Sequence, residues 1–300
     1  MGTAGRCLAI LALLATAACG DAEAATAGCA SPSQDVMPSL PAAPSYAHRS
    51  FSIAIDRADV AAVDRDPSYR KWPSLPEAAR ALLVKTLPNI DFMPSDVLEV
   101  GWLSSDSTFG GETIITETLG TAPWPTFPPP PALEEIRPDL FCRQVVSITE
   151  RNNAKIHAYT EAIGTSIAGW KTRQQELADA FVARAVQALK DAPLIRDAKG
   201  TDVAGAVSKG ASVAHASGAS SGVVLLLTDM TGPLLPIADL HNITIVVALY
   251  DRRGANDRSA GEREWTEHLR SYGAIVPPFL SWTDTTEATL LARLKGGPRR

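Results

Sequence analysis

Five consecutive branched aliphatic residues, Val223–Leu227, run from the Gly/Ser-rich stretch 217–222 into Thr228-Asp229. An apolar run this short, bounded on both sides by turn residues, predicts a strand buried on both faces. That is the pattern of parallel sheets whose two faces are covered by helices. An acidic residue just past the carboxyl end of such a strand stands where open α/β folds build their ligand crevice. The residues before it read as a turn, Gly200-Thr201-Asp202, and then a helix of small residues. A chain built around this unit must supply further parallel strands and enough helices to cover both sides.

The rest of the sequence does so. Phe51–Ile55 predicts a first strand. Pro76–Leu87 predicts a helix, with Pro in its first turn and Ala79, Leu82, Leu83 and Leu87 on one face. Asp96–Leu103 and Thr113–Leu119 read as two strands joined by a loop bearing Gly110-Gly111, hence a hairpin. Beyond the central strand, Asn242–Tyr250 predicts another buried strand and Glu262–Tyr272 a helix with Trp265, Leu269 and Tyr272 on one face. Ala274–Leu280 predicts a last strand whose Pro277-Pro278 require an edge or an early stop, and Thr285–Leu294 a closing helix. Strands alternating with helices predict an α/β fold with a doubly wound, mainly parallel sheet and one antiparallel edge.

Between the hairpin and the central unit lie two unusual segments. Ala122–Pro138 contains Pro128 to Pro131 in succession and reads as a stiff extended spacer. Residues 139–192 lack proline until the very end of the range has passed. Apolar residues there, from Phe141, Val145 and Ile148 through Ile156, Tyr159, Ile163, Ile167 and Trp170 to Leu177, Phe181 and Leu189, follow one helical stripe. The stripe predicts a long helical insertion. It either packs on the sheet, folds back near Gly164 and Gly169, or projects and needs a partner.

Three pieces of the chain resemble the von Willebrand factor A (vWA) domain, a three-layer, Rossmann-like fold. Gly200-Thr201-Asp202 is similar to the family's G-T-[DN] turn, and Thr228-Asp229-Met230 to its T-D-G strand end. Asp56-Arg57-Ala58-Asp59-Val60 is similar to its D-x-S-x-S, with Ala58 and Val60 in place of both serines. The resemblance covers about residues 50–295. It implies a degenerate metal-ion-dependent adhesion site, with Asp56, Thr201 and Asp229 as metal ligands and Mg²⁺ or another divalent cation as cofactor. Such hard cations favour short carboxylate and hydroxyl ligands. The competing reading makes Thr201 or Asp202 the cap of the following helix and leaves Asp56 and Asp229 as acceptors for loop amides at the strand ends. The resemblance also implies a protein partner, bound through the top of the sheet where Asp251-Arg252-Arg253-Gly254 would join the three ligands. The alternative is a metal-free envelope scaffold that makes its contacts through the long helix.

The first residues point to a cell compartment. Arg6 and the apolar run Cys7–Ala18 predict a signal peptide over residues 1–18. Ala17-Ala18-Cys19-Gly20 resembles a bacterial lipobox, implying a lipoprotein anchored to a membrane through Cys19; the alternative is ordinary cleavage after Ala18 or Ala24. Either reading predicts export to the cell envelope, on the periplasmic side or the cell surface. Residues 19–49, rich in Ala, Ser and Pro, read as a disordered tether. In an oxidising compartment Cys29 and Cys142 are left either as a disulfide or as two unrelated thiols.

Other functions find little support. The 300 residues carry a formal charge of −5, which offers no footprint for nucleic acid. Gly218-Ala219-Ser220-Ser221-Gly222 fits G-x-S-x-G, but a nucleophile elbow follows a strand and this stretch precedes one, so a hydrolase built on Ser220 is disfavoured. His157, His215, His241 and His268 are dispersed, and no phosphate loop or zinc spacing occurs. The sequence predicts a binding protein and not an enzyme.

Overall fold

The computed structural model of the chain describes residues 33–57, 74–103, 107, 112–194, 201–250 and 255–295, with backbone alone for 255–258. The described residues fall into two compact units, one within 1–41 and 126–166 and one within 42–125 and 167–300. The boundary at 166/167 leaves part of the long helix in each unit.

The second unit is an α/β sandwich. Its strands are β1 (Arg49–Asp56), β2 (Val97–Leu103), β3 (Thr113–Thr118), β4 (Ser221–Leu227) and β5 (Ile243–Ala248), in sheet order β3-β2-β1-β4-β5. Among the described residues only the β2–β3 hairpin is antiparallel; β1 pairs in parallel with both β2 and β4, and β4 with β5. Alternation along the strands feeds two cores. Phe51, Ile53, Ile55, Leu225 and Leu227 point to one face, covered by α1 (Leu75–Thr86), the last turns of α2 (Cys142–Asp191) and α5 (Glu287–Lys295). Val224, Leu226, Ile245 and Val247 point to the other, covered by α3 (Val203–Ala216) and α4 (Ala255–Ser271). Small residues set the spacing on that second face: a Cβ on Gly210 of α3 would sit 2.7 Å from Val224 Cγ2 and 3.0 Å from Ser52 Cβ. A larger residue would lift α3 off the sheet.

The expected last strand does not form. Ile275 and Ser281 make isolated parallel bridges to Thr244 and Tyr250, and the backbone hydrogen bonds stop between them. Pro277 and Pro278 have no N–H to continue a ladder, which accounts for the interruption.

α2 is continuous for 50 residues, without the reversal considered near Gly164 and Gly169. Its apolar stripe is mostly buried: Val145, Ile156, Tyr159, Ile163, Trp170, Phe181 and Leu189 are all inside, while Phe141 and Leu177 are exposed. Amide side chains on the helix hold extended backbone against it. In the first unit, fully buried Asn152 accepts from Glu134 N and donates to Glu134 O, both at 2.9 Å. Asn153 accepts from Asp35 N at 2.9 Å and donates to Ser33 O at 3.0 Å. In the second unit, Gln174 does the same to Ala122 N and Gly120 O, at 2.8 and 3.1 Å. The residues from Ser33 to Asp35, expected to belong to a disordered tether, are thus pinned, and so are parts of the Pro-rich segment. The reason is that an extended chain without strand neighbours must satisfy its backbone groups somewhere, and side-chain amides carry both a donor and an acceptor.

Candidate functional site

The sheet order places a topological switch between β1 and β4. From β1 the chain steps outward to β2 and β3; it returns to β4 on the opposite side and continues to β5. Open α/β sheets part their loops at such a point and leave a crevice at the carboxyl ends of the two strands. Asp56 ends β1, and Thr228-Asp229 follow the last residue of β4, with Ile55 and Leu227 in register.

Asp56 is completely buried. A carboxylate at that depth needs hydrogen bonds on its oxygens. Thr228 Oγ1 donates to its Oδ2 at 2.6 Å, and Thr201 Oγ1 lies 2.9 Å from Oδ1 and 3.1 Å from Oδ2. Both threonines are buried. One carboxylate therefore ties together β1, the end of β4 and the turn before α3. Asp202 serves that helix in parallel: Oδ1 accepts from Gly205 N at 2.7 Å as an N-cap, and Oδ2 from Ser107 N at 2.9 Å. Of the two candidates for that cap, Thr201 and Asp202, the cap is Asp202.

Asp229 is half-buried and its Oδ1 accepts from Thr231 N at 3.1 Å, closing an Asx turn. Thr228 Oγ1 also accepts from Met230 N at 3.1 Å. Met230 has φ +60, a left-handed conformation that ordinarily favours Gly. Its side chain is nevertheless buried in the second core, and its carbonyl accepts from Trp265 Nε1 at 3.1 Å. Left-handed strain costs about 1–2 kcal/mol, whereas burying a Met side chain contributes about 2–5 kcal/mol. The side chain wins. Gly232 lies still closer to the site: a Cβ there would stand 2.5 Å from Thr201 O, so only Gly lets the loop after β4 press against that turn.

No protein-family model matches the chain, and no curated protein or solved structure matches it either. The chemistry of the site must be read from its own atoms.

The structure brings Asp56 and Thr201 together and sets Asp229 on the loop that leaves β4. Thr228, the residue that completes the group, was visible in the T-D pair but reads there as a strand terminator. Ala58, Asp59, Val60 and the 251–254 loop lie outside the described residues, as do Cys19 and Cys29. The donor set fits a divalent cation only in part. Both oxygens of Asp56 already take hydroxyl donors, Ala58 and Val60 have no side-chain oxygen, and no group of three or more His, Cys, Asp or Glu gathers among the described residues. Ser220 is placed at the amino end of β4, where its hydroxyl donates to His48 O at 2.9 Å. His157 lies 3.1 Å from Asp35, His241 pairs with Asp239, and His268 Nε2 is 2.8 Å from Leu235 O. These three histidines therefore serve local structure. Cys142 is disulfide-bonded.

Proposed function

We propose that the chain is a vWA-like protein-interaction module that meets a protein partner through the carboxyl end of its sheet. The observation that carries this reading is the convergence of Asp56, Thr201 and Thr228 at the switch point between β1 and β4. Asp229 and Thr231 border that point on the exposed side. Three further features support the family reading: the strand order, the single antiparallel edge, and helices on both faces. A divalent cation enters as an auxiliary, held through Thr201 and Asp229 and through Asp56 by way of water. To bind, it must compete with the hydroxyls that now hold Asp56. Export and anchoring through Cys19 complete the proposal, and the disulfide at Cys142 accords with an oxidising compartment.

A photo-crosslinking residue installed at Thr231, in cells that make the full chain, tests the surface. Discrete crosslinked species are expected from that position. None is expected from His215, which sits in the last turn of α3, toward the amino end of β4. Equal crosslinking from both positions, or none from Thr231, overturns the proposal.

A further inference from the structure

Asp56 and Arg57 are consecutive at the end of β1, so their side chains leave toward opposite faces of the sheet. Arg57 turns to the face of the first core. Its guanidinium carbon stands 5.5 Å from the ring centroid of Trp102, which belongs to that core. Its side chain is only 10% exposed. A cation so deeply placed needs its donors matched by acceptors, and here the match is incomplete. Arg57 Nη2 donates to Glu112 Oε2, while Arg57 Nε, also buried, has no hydrogen-bond partner among the described residues. Nε and Nη2 share the edge of the guanidinium that takes a carboxylate through two parallel bonds. Glu112 uses half of that edge.

We propose that Arg57 is a carboxylate-binding point for an acidic side chain of a protein partner, with Glu112 as the resident carboxylate that the partner displaces. This rests on the reading that the carboxyl end of the sheet meets a partner. The two members of the pair are unequally committed. Arg57 is fixed by its burial and by the Trp102 ring. The Glu112 side chain is 51% exposed, so releasing it to water costs little. Its backbone stays in place whichever acid is bound, because Trp102 N donates to Glu112 O at 2.9 Å across the β2–β3 hairpin. An incoming carboxylate set squarely on the edge makes the second bond that Glu112 does not. The cation–π face is already used, which leaves this edge as the site of exchange.

The test uses the full chain with arginine labelled by ¹⁵N, in native form and as Glu112→Gln. The probes are the blocked peptide acetyl-Gly-Glu-Gly-amide, its Gln counterpart, sodium acetate, and sodium chloride at matched ionic strength. The Glu peptide is expected to shift the Arg57 Nε–H resonance saturably in Glu112→Gln. In the native chain an intramolecular carboxylate competes, so half-saturation should need about tenfold more peptide. The Gln peptide and chloride should do neither. A shift with acetate and none with the Glu peptide would assign the point to a small free carboxylate and overturn the partner side chain as its ligand. No shift beyond that of chloride would overturn the site altogether. The resonance is read in a variant that keeps Arg57, so loss of folding in an Arg57 variant cannot confuse the result. Crosslinking from Thr231 without any response at Arg57 would leave the proposed surface standing and remove only this point of recognition.

Discussion

Replacing Thr228 by Val isolates the hydrogen bond that closes the Asp56 group. The substitution keeps the shape of a fully buried side chain and removes only the hydroxyl. The lost bond is the 2.6 Å donation to Asp56 Oδ2, and such bonds to a charged group contribute about 1.5–3 kcal/mol. The acceptor for Met230 N at 3.1 Å goes with it. The added methyl returns about 0.8 kcal/mol of burial. A net loss of about 2 kcal/mol follows, which for a unit of this size lowers Tm by roughly 4–8 °C. Thr201→Val should cost less, about 1 kcal/mol, because one hydroxyl is shared between two longer contacts of 2.9 and 3.1 Å. The double substitution should exceed the sum by about 1 kcal/mol, since it removes both hydroxyl donors from one buried carboxylate. Urea unfolding followed by tryptophan fluorescence and by far-ultraviolet circular dichroism gives all three values, with the m-value checking that the denatured state is unchanged. A change below 0.5 kcal/mol for Thr228→Val, or a larger loss for Thr201→Val, would refute the reasoning.

Four further outcomes are expected. Gly232→Ala should destabilise by about 1–3 kcal/mol in the same urea assay, because the contact at 2.5 Å is with the Thr201 backbone, which cannot rotate away. Asn152→Ala should lose about 2 kcal/mol of local protection at the Glu134 amide, read by hydrogen exchange, as both clamp bonds disappear. In acid, two carboxylates should act with opposite sign. The hydrogen bond from Arg151 holds Glu134 down at about 2 against an ordinary 4.5, so its stabilisation is present above pH 4.5, fades as pH falls toward 2, and is absent from Glu134→Gln. Burial pushes Asp96 above its ordinary 3.8, against the hydrogen bonds from Arg49 and from Met93 N, so its contribution is greatest below 3.8 and declines as pH rises through the higher folded value; Asp96→Asn should remove that slope. Finally, melts in EDTA and then in millimolar Mg²⁺, Mn²⁺ or Ca²⁺ read the auxiliary cation: binding at one hundred times Kd adds about 2.7 kcal/mol. A gain that persists in Asp229→Ala would remove that residue from the cation's ligands.

Much of the fold was legible because its signals are local. β4 and β5 are continuous apolar runs, and α1 carries a first-turn proline with Ser74 N donating to Glu77 Oε2 at 3.0 Å. The ends of β1 and β4 could be paired because an acid and a Thr-Asp step each follow a buried strand. The missing sixth strand was flagged by Pro277-Pro278, but sequence pattern alone cannot weigh two lost N–H groups against the apolar run around them. The long helix was legible as a stripe, yet not what covers it. That depends on contacts more than one hundred residues away, such as Asp35 N with Asn153 and Arg80 Nη1 with Lys190 O at 3.1 Å.

The polar clamps carried a signal of a different kind. Asn is a poor helix former, because its side chain competes for backbone groups. Asn152-Asn153 within 50 helical residues therefore mark a place where helical propensity has yielded to something else. Here that competition is turned outward, onto Glu134, Ser33 and Asp35, and no longer against the helix itself. Arg57 belongs to the same class. No motif in the sequence singles it out, and the Trp102 ring beneath it and the Nε left unmatched among the described residues give it a role. In both places the local sequence is suboptimal for the element that carries it, and the compensation lies in another segment. Residues that break a local rule are thus the ones whose partners most need to be found in three dimensions. At the carboxyl end of this sheet, the acceptor that Arg57 Nε lacks among the described residues is the reason to look for one in another chain.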